Sequence, residues 1–538
     1  MAPEKHQSLP AYKSVKRWFR NPRICVWTTF FLGTAIALLI TAVQGIPAPY
    51  ATDEFAYLLG ADTFHSGRIT NPTHPMWHHF ETYHVIQQPS YISKYQPAQS
   101  LVLAVGKLLG HPIVGSCLAT GFSMAALTWM LTGWLPRKYN WLIMLFVLLH
   151  PGFHLVWGQA YWGGTLAMAG AALLLGAFVR LNEAFQIKYA LIAAAGTVLL
   201  ANSRPFEGAV LTAVVGLGLI TKLVQNKEWR FRPFLMRAIL PGFIVLGLGA
   251  TWTMTYNNAV TGSPFEMPYR VHEAQYGWTP LFLWQTAGEK PVYRHPVMEA
   301  GYVGDKEATE ARFQSLSDIA RIKGITTIRF LDFFCGGSFI LILFSMPWLL
   351  NKSKYKLAFL LSIIAFAAGM ATPWEYAHYC APAAPLVILL LLASWIEFWR
   401  RTRTVPMLRI GFAILIITFQ VAWTYSVIKQ KSTHPQQIWA KNRAATAQQL
   451  LDLPGRDLVI VRYSETHVAS REWVYNEADI DGAEIVWARG ISEEATAELI
   501  QYFNDRKVWQ LDADAQPPVF NPYPKRLKTI QANLRSRH

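Results

Sequence analysis

Residues 25–64 read CVWTTFFLGTAIALLITAVQGIPAPYATDEFAYLLGADTF and join a hydrophobic run to an acidic pair. The run over residues 25–43 approaches the roughly 20 apolar residues that an α-helix needs to cross a bilayer. Asp53 and Glu54 follow closely, which places two carboxylates at the water-facing mouth of a predicted membrane span. Such a pair suits catalysis, but acidic residues also favour the first turn of a helix because they complement its dipole.

The composition indicates a polytopic membrane protein. The 538 residues are 52% hydrophobic and 14% aromatic, and only 15% are charged. Such values are unusual for a soluble enzyme. We therefore predict a mainly α fold with about 11 transmembrane helices. The predicted spans lie near residues 25–43, 112–134, 141–158, 163–180, 189–203, 208–221, 238–256, 327–350, 357–372, 381–396 and 406–428.

The distribution of basic residues predicts the orientation of these spans. A formal net charge of +16 would on its own suggest a nucleic-acid partner. However, the whole Lys and Arg excess falls in the N-terminal segment 1–24 and in alternate loops, as the positive-inside rule expects. We therefore expect no nucleic-acid binding, a cytoplasmic N-terminus and a C-terminus on the opposite side. The apolar run of the first span is long for a cleaved signal peptide, which disfavours cleavage.

Three polar segments then fall on the extracytoplasmic side of a transmembrane region predicted over 25–428. They are loop 44–97, loop 257–326 and the tail 429–538. In the tail, the patterns of residues 457–463, 483–488 and 507–511 are typical of strands, and that of 492–506 is typical of a helix. We expect a small extracytoplasmic α/β domain there, and any chemistry on the same side because the cytoplasmic connections are short.

The first loop has its own predicted elements. Residues 53–66 indicate a short helix capped by Thr52 or Asp53 and stopped by Gly67. Residues 78–95 alternate around a Gln-Gln-Pro-Ser turn, which favours a hairpin. The apolar stretch 97–109 is too short to span a membrane and is expected to lie at its surface.

A second motif accompanies the acidic pair. Lys94-Tyr95-Gln96-Pro97 has the form Lys-x-x-Pro and leads into that surface helix. With Asp53-Glu54 after the first span, many later spans and a polar tail, it resembles the GT-C superfamily of polytopic glycosyltransferases. The resemblance is to the bacterial branch similar to protein mannosyltransferases and aminoarabinose transferases. It covers roughly the first 210 residues by motif and the rest by architecture.

The resemblance implies an inverting, direct displacement. The donor would be a sugar on a polyprenyl phosphate, and a hydroxyl acceptor on a protein, lipid or glycan would enter from the outer side. By the same resemblance Asp53 would be the general base, a role that a carboxylate can fill. Glu54 is a second candidate that orients the acceptor or a metal, unless it is only a helix-start acid.

Three cations are candidates for holding the donor phosphate: Lys94, Arg204 and Arg270. Lys94 has the alternative of an interfacial lysine whose ammonium reaches up to water. Arg204 lies between two predicted spans and has the alternative of a structural ion pair with Glu207. Arg270 lies in loop 257–326, whose charges are balanced, so it is alternatively just solvated.

The predicted substrate-contacting residues come from three places in the sequence. His78, His79 and Glu81 form a cluster with His84, in which His79 and Glu81 would share a strand face. Tyr95 belongs to the Lys-x-x-Pro motif. Glu375 and His378 lie between two spans, where aromatic neighbours alternatively form only an interfacial belt. The spacings in the histidine cluster are not specific for a metal, and some superfamily members use a divalent ion whereas others do not, so metal dependence stays open. Cys25, Cys117, Cys335 and Cys380 show no paired spacing.

The leading hypothesis is therefore a glycosyltransferase of a bacterial inner membrane with its active site on the periplasmic side. The alternative is a polytopic transporter or flippase of lipid-linked or small polar substrates. That alternative predicts charges near mid-span and paired broken helices, whereas most acidic residues here lie in loops and at span ends. A non-catalytic scaffold for the tail is a third idea, but it leaves the elaborate first loop unexplained.

Overall fold

The computed structural model describes residues 19–225, 231–433 and 435–524. Most of the predicted basic N-terminus lies outside these residues. The described chain is mainly helical, with two small sheets, one in the first loop and one in the tail.

Hydrophobic helices account for most of the described chain. Nine of them, counted over these residues, are long and apolar enough to cross a membrane. Each of the eleven predicted spans coincides with a helix, but Thr165–Leu181 and Ile187–Ala201 have only 17 and 15 residues. The protein is thus an integral membrane protein with at least nine candidate spans among its described residues.

The helices up to the second loop are α1 (Pro22–Gln44), α2 (Thr52–His65), α3 (Ala98–Leu108), α4 (Pro112–Trp134), α5 (Asn140–Leu148), α6 (Thr165–Leu181), α7 (Ile187–Ala201), α8 (Pro205–Gln225) and α9 (Leu240–Thr261). Those that follow are α10 (Pro268–Gln275), α11 (Pro296–Arg312), α12 (Leu316–Cys335), α13 (Ile340–Leu350), α14 (Ser353–Met370), α15 (Ala384–Arg401), α16 (Pro406–Thr433), α17 (Pro435–Leu451) and α18 (Glu493–Tyr502). A short helical stretch, Phe231–Phe234, and a π-helical turn, Leu235–Ile239, lead into α9.

The centre of the bundle is α15, which is apolar on all sides. The span that contains it is 94% buried, whereas the span over α16 is only 11% buried. A helix that is hydrophobic all round belongs in a core, and an apolar helix with an open surface fits a lipid-facing position. At the end of α15 the carboxylate of Glu397 is paired with Lys352, Arg400 and Arg401.

The first loop contains α2 and a three-stranded sheet. Its strands are β1 (Asn71–Pro72), β2 (Val85–Ile86) and β3 (Ser90–Ser93), with β3 in the centre. The predicted hairpin is present as the antiparallel β2–β3 pair, and the surface helix is α3. Residues 77–79 form a 3-10 turn instead, so the predicted strand face shared by His79 and Glu81 is wrong.

The start of α2 also differs from the prediction. The helix begins at Thr52, its N-cap is Ala51, and neither Thr52 nor Asp53 is the cap. Glu54 replaces a capping side chain, because its Oε2 accepts the backbone N–H groups of Tyr50 and Ala51 at 2.7 and 3.1 Å. The stop at Gly67 is confirmed, since this glycine has a φ of 76° directly after the helix.

The tail forms the predicted α/β unit. Its strands are β4 (Asp457–Arg462), β5 (Ile485–Arg489), β6 (Lys507–Asp512) and β7 (Val519–Pro522), in the order β5-β4-β6-β7. β4 pairs in parallel with β5 and β6, and β7 runs antiparallel to β6. The first three strands and α18 match the sequence patterns, whereas β7 and α17 were not predicted.

Candidate active site

Asp53 lies in the first turn of α2 with one carboxylate oxygen held and the other open. Its Oδ1 accepts a 2.6 Å hydrogen bond from the Tyr95 hydroxyl and lies 3.2 Å from Nε2 of His84. Among the described residues its Oδ2 has no hydrogen-bond partner, and the side chain keeps 23% of its exposure. The carboxylate is therefore fixed in orientation while one oxygen is free to accept a proton.

The hairpin of the first loop brings the two partners of Asp53 together. The backbone N–H of Lys94 donates to the carbonyl of His84 at 3.0 Å, so the two ends of the hairpin are adjacent. His84 has a φ of 65°, a left-handed conformation that costs a non-glycine residue energy and is found more often at functional sites. The sequence placed His84 in a histidine cluster, and no pattern indicated its contact with Asp53.

The protonation states in this group follow from burial and nearby charge. Burial raises the pKa of Asp53, whereas the Tyr95 hydrogen bond and the charges of Lys94 and Arg204 lower it in part. Burial, Lys94 and His272 hold the pKa of His84 well below its usual range. His84 is therefore neutral near pH 7, and its Nε2 lies in contact with Oδ1 of Asp53. Its Nδ1 is buried and has no partner among the residues described.

Glu54, the neighbour of Asp53, is engaged with the backbone. Besides the two N–H groups at the start of α2, the backbone N–H of Tyr161 donates to its Oε1 at 2.9 Å. Burial raises the pKa of Glu54 to about 7, against these backbone hydrogen bonds, which lower it. Both oxygens are occupied, so Glu54 anchors the start of α2 to the segment that precedes α6. This geometry favours the helix-start alternative over a direct substrate contact.

Lys94 is buried beside Asp53 and carries a partner. Its Nζ lies 3.3 Å from Oε1 of Glu273 and 4.5 Å from the centre of the Tyr269 ring. Burial opposes ionisation of Glu273, but Lys94 and His272 lower its pKa to about 2. Only 5% of the Lys94 side chain is exposed, so the alternative of an ammonium reaching up to bulk water does not apply.

Arg204 is the second cation near Asp53, in the turn between α7 and α8. Its guanidinium lies 4.2 Å from the centre of the Tyr379 ring. Within the described ranges no carboxylate oxygen lies at ion-pair distance from Arg204, so Glu207 is not in direct contact with it. Burial lowers the pKa of Arg204, but the charge of Glu207 still acts on the guanidinium and raises that pKa. The charge of Arg204 also acts on Asp53, whose pKa it lowers. Arg204 is thus a cation without a direct carboxylate contact among the described residues.

The third predicted phosphate ligand, Arg270, is not brought into this group. It is exposed on α10, and no hydrogen bond or ion pair within the described chain joins it to Asp53, Lys94 or Arg204. The same helix presents Tyr269 and Glu273 to Lys94 instead.

Aromatic rings line the group around Asp53. The rings of Tyr57 and Tyr95 stack with centres 4.7 Å apart, and Tyr269 lies 6.4 Å from Tyr95. His378 is buried next to Tyr379, 4.8 Å from it ring to ring, and so lies on the Arg204 side of the site. Of the predicted substrate contacts, Tyr95 and His378 are thus near Asp53.

The two predicted histidines of the cluster lie elsewhere. Nδ1 of His79 is 2.7 Å from the carbonyl oxygen of Arg489 in the tail, and burial lowers the pKa of His79 to about 4. The carbonyl of His78 accepts a 2.7 Å hydrogen bond from His295 of the second loop. Both residues therefore join the first loop to other parts of the chain.

The two predicted glutamates also make internal contacts. Glu81 accepts a hydrogen bond from Tyr276 at 2.9 Å and lies 3.3 Å from His295. Glu375 is paired with Arg312 and with Arg329, the latter at 3.2 Å. No group of three or more His, Cys, Asp or Glu residues suited to a metal ion occurs in the described part of the chain.

Comparison with solved structures identifies this architecture. The chain aligns over 90% of its length with the apo oligosaccharyltransferase of Archaeoglobus fulgidus, covering 69% of that protein, with a TM-score of 0.50 and 12% identity. It aligns over 89% of its length with apo ArnT of Cupriavidus metallidurans, covering 92% of that protein, with a TM-score of 0.51 and 12% identity. No protein-family model matches the chain, and no curated protein matches it by sequence. The chain thus shares the fold of these two structures, and the mainly α membrane architecture predicted from its sequence is confirmed.

Proposed function

We propose that the protein is a glycosyltransferase that moves a sugar from a polyprenyl-phosphate-linked donor to a hydroxyl acceptor. The observation that carries this proposal is the state of Asp53, with Oδ1 held by Tyr95 and His84 and Oδ2 open. A cation without an ion-pair partner among the described residues, Arg204, acts on the same carboxylate. The similarity of the fold to those of two transferases supports the proposed activity, as does the Lys-x-x-Pro motif.

The proposed reaction is one displacement at the anomeric carbon. Oδ2 of Asp53 takes the proton of the acceptor hydroxyl, and the acceptor oxygen forms a bond to the anomeric carbon. The bond from that carbon to the phosphate oxygen breaks, and polyprenyl phosphate leaves with the electron pair. Attack opposite to the leaving group inverts the configuration of the sugar.

Arg204 is proposed to hold the leaving phosphate. Phosphate gains negative charge as the bond breaks, and a preorganised guanidinium stabilises that charge in a site of low dielectric constant. Lys94 contributes a second positive charge, but Glu273 already neutralises it, so its effect on donor binding is smaller. Tyr57, Tyr95 and Tyr269 line the group around Asp53 and are the proposed aromatic contacts of the sugar and acceptor.

The proposed location is a bacterial inner membrane with the site on the periplasmic side. The basic N-terminal segment and the basic alternate loops support a cytoplasmic N-terminus. The proposed divisions are a cytoplasmic segment 1–24, a transmembrane region 25–428 with loops 44–97 and 257–326, and a periplasmic tail 429–538. The acceptor is proposed to be a hydroxyl of a protein, lipid or glycan.

Asp53→Asn tests the proposal, because it keeps the size of the side chain and its contact with Tyr95 but removes the base. Purified protein in nanodiscs is supplied with polyprenyl-phosphate sugars and mixed acceptors. We expect the transfer rate to fall by about 10²- to 10⁴-fold. The matched control is Asp505→Asn, which removes an exposed carboxylate of the tail. Equal rates for the parent and Asp53→Asn would refute the base, and translocation of the donor in proteoliposomes without any transfer would favour a flippase.

A further inference from the structure

One edge of the tail sheet, formed by the carboxyl ends of its parallel strands, corresponds to the place where proteins of similar topology bind ligands. The chain passes from β4 to β5 on one side of β4, and then through α18 to β6 on its other side. In open α/β sheets, ligands bind in the crevice at the carboxyl ends of the parallel strands where the strand order reverses. Here Arg489 ends β5 at that edge, and Tyr463 follows β4.

The first loop fills this edge. Nε of Arg489 donates a 2.8 Å hydrogen bond to the carbonyl oxygen of Glu81, and the carbonyl oxygen of Arg489 lies 2.7 Å from Nδ1 of His79. The guanidinium also pairs with Glu472, which contacts the Tyr463 hydroxyl, and Glu472 is fully buried. A buried ion pair is tolerated when its remaining hydrogen bonds are satisfied, and the carbonyl oxygen of Glu81 in the first loop accepts one of them here.

The tail also packs against α2 next to Asp53. The ring of Phe55 stacks on Tyr475 with centres 4.3 Å apart and an interplanar angle of 4°, and the guanidinium of Arg443 lies 4.6 Å from the centre of the Phe55 ring. Further along the helix, the backbone N–H of Ala478 donates to Oδ2 of Asp62 at 2.7 Å. The segment from Tyr475 to Ala478 therefore contacts both ends of α2.

We infer that the ligand of the tail is the first loop of its own chain, and that Tyr475, Arg443 and Arg489 are positioning residues for Asp53. The inference rests on the proposed function for its catalytic consequence. Phe55 comes two residues after Asp53, so a rotation of the first turn of α2 about the Phe55 contact moves Oδ2 of Asp53. The contact of Arg489 with the first loop fixes the segment that leads into His84.

The test uses the full-length protein with Tyr475→Leu, which removes the stacked ring. Tyr475→Phe keeps the ring, loses the 3.4 Å hydrogen bond from the hydroxyl to the carbonyl oxygen of Tyr83, and is the conservative rescue. Trp509→Leu is the matched control, because Trp509 packs on Phe520 and bonds to Asp457 within the tail sheet. For each variant we measure hydrogen exchange of residues 52–57 without substrate, and then kcat and the donor KM.

Tyr475→Leu is expected to speed exchange of residues 52–57 by roughly 2- to 12-fold, the equivalent of an aromatic pair. It is expected to lower kcat by about tenfold or more while the donor KM changes little, because the base is displaced from its attacking geometry. Tyr475→Phe and Trp509→Leu should leave both readings near the parent values. Equal exchange and equal kcat for Tyr475→Leu and Trp509→Leu would overturn the inference. The hydrogen-exchange measurement needs no substrate, so it tests whether the tail positions α2 even if the parent protein transfers no sugar.

Discussion

Replacing Tyr95 with Phe removes the hydroxyl that donates a 2.6 Å hydrogen bond to Oδ1 of Asp53. That hydrogen bond stabilises the ionised carboxylate and so lowers the pKa of Asp53, against the burial that raises it. Without the bond, the pKa of Asp53 rises further. A base acts only when it is ionised, so the acid limb of the transfer rate should move to higher pH.

The size of the effect follows from the strength of the bond. A hydrogen bond to a charged group contributes about 1.5–3 kcal/mol net. Asp53 keeps 23% of its side-chain exposure and remains in contact with His84, so the lower end applies. A loss of about 1.5 kcal/mol lowers the ionised fraction, and with it the rate, roughly tenfold at a pH below the titration of Asp53. At higher pH the two rates should converge.

The assay is kcat/KM against pH for purified parent and Tyr95→Phe protein in nanodiscs. Tyr256→Phe is the control, since its hydroxyl lies 3.4 Å from the backbone carbonyl of Tyr95 and does not touch Asp53. The control should keep the pH profile of the parent. An acid limb of Tyr95→Phe that stays in place or moves to lower pH would refute the role given to Tyr95.

Three other substitutions have defined outcomes. Arg204→Gln should raise the donor KM roughly 10- to 100-fold, because a hydrogen bond from a charged group to the donor phosphate is lost. The control Arg270→Gln should change the donor KM less than about twofold. Equal effects of the two substitutions in donor-saturation kinetics would contradict this difference. Lys94→Met leaves the ionised Glu273 with only its contact to His272 and should lower the free energy of unfolding by about 2 kcal/mol in thermal unfolding, as for a buried polar group that loses a hydrogen-bond partner. Combining Lys94→Met with Glu273→Gln should largely restore this stability. Because the pKa of Glu54 is raised from 4.5 to about 7, its folded form holds the proton more tightly. Stability relative to Glu54→Gln should therefore fall by at most about 3 kcal/mol as the pH rises from about 4.5 to about 7, and should stay level above that. A constant difference in unfolding temperature across that range would show that Glu54 does not titrate there.

The lengths of the hydrophobic runs and the residue patterns of the strands predict much of the fold. The spans can be predicted because crossing a membrane requires long apolar runs. The surface position of α3 can be predicted because its apolar run is too short to cross and is bounded by Pro97 and Gly110. The parallel strands of the tail are readable because they are buried and apolar, as in residues 458–461. β7 has only four residues, is mostly exposed and ends in Asn521 and Pro522, so it carries no such signal.

The candidate site was only partly readable. Asp53 and Lys94 came from the motif that carries the resemblance, but the contact of His84 with Asp53 depends on a hairpin that folds one end of the loop onto the other. Glu207 lies three residues after Arg204, which suggested a pair, yet the guanidinium lies against Tyr379. Sequence spacing indicates which side chains share a helix face, and it does not indicate which tertiary neighbour they contact.

The most direct test of the central claim is the position of a bound donor. A structure of the Asp53→Asn protein with a polyprenyl-phosphate sugar should place the phosphate against the guanidinium of Arg204. It should also place the anomeric carbon on the side of residue 53 where Oδ2 is open in the parent. A phosphate bound away from Arg204, for example at Arg312 and Arg329, with the sugar out of reach of residue 53, would contradict the proposed function.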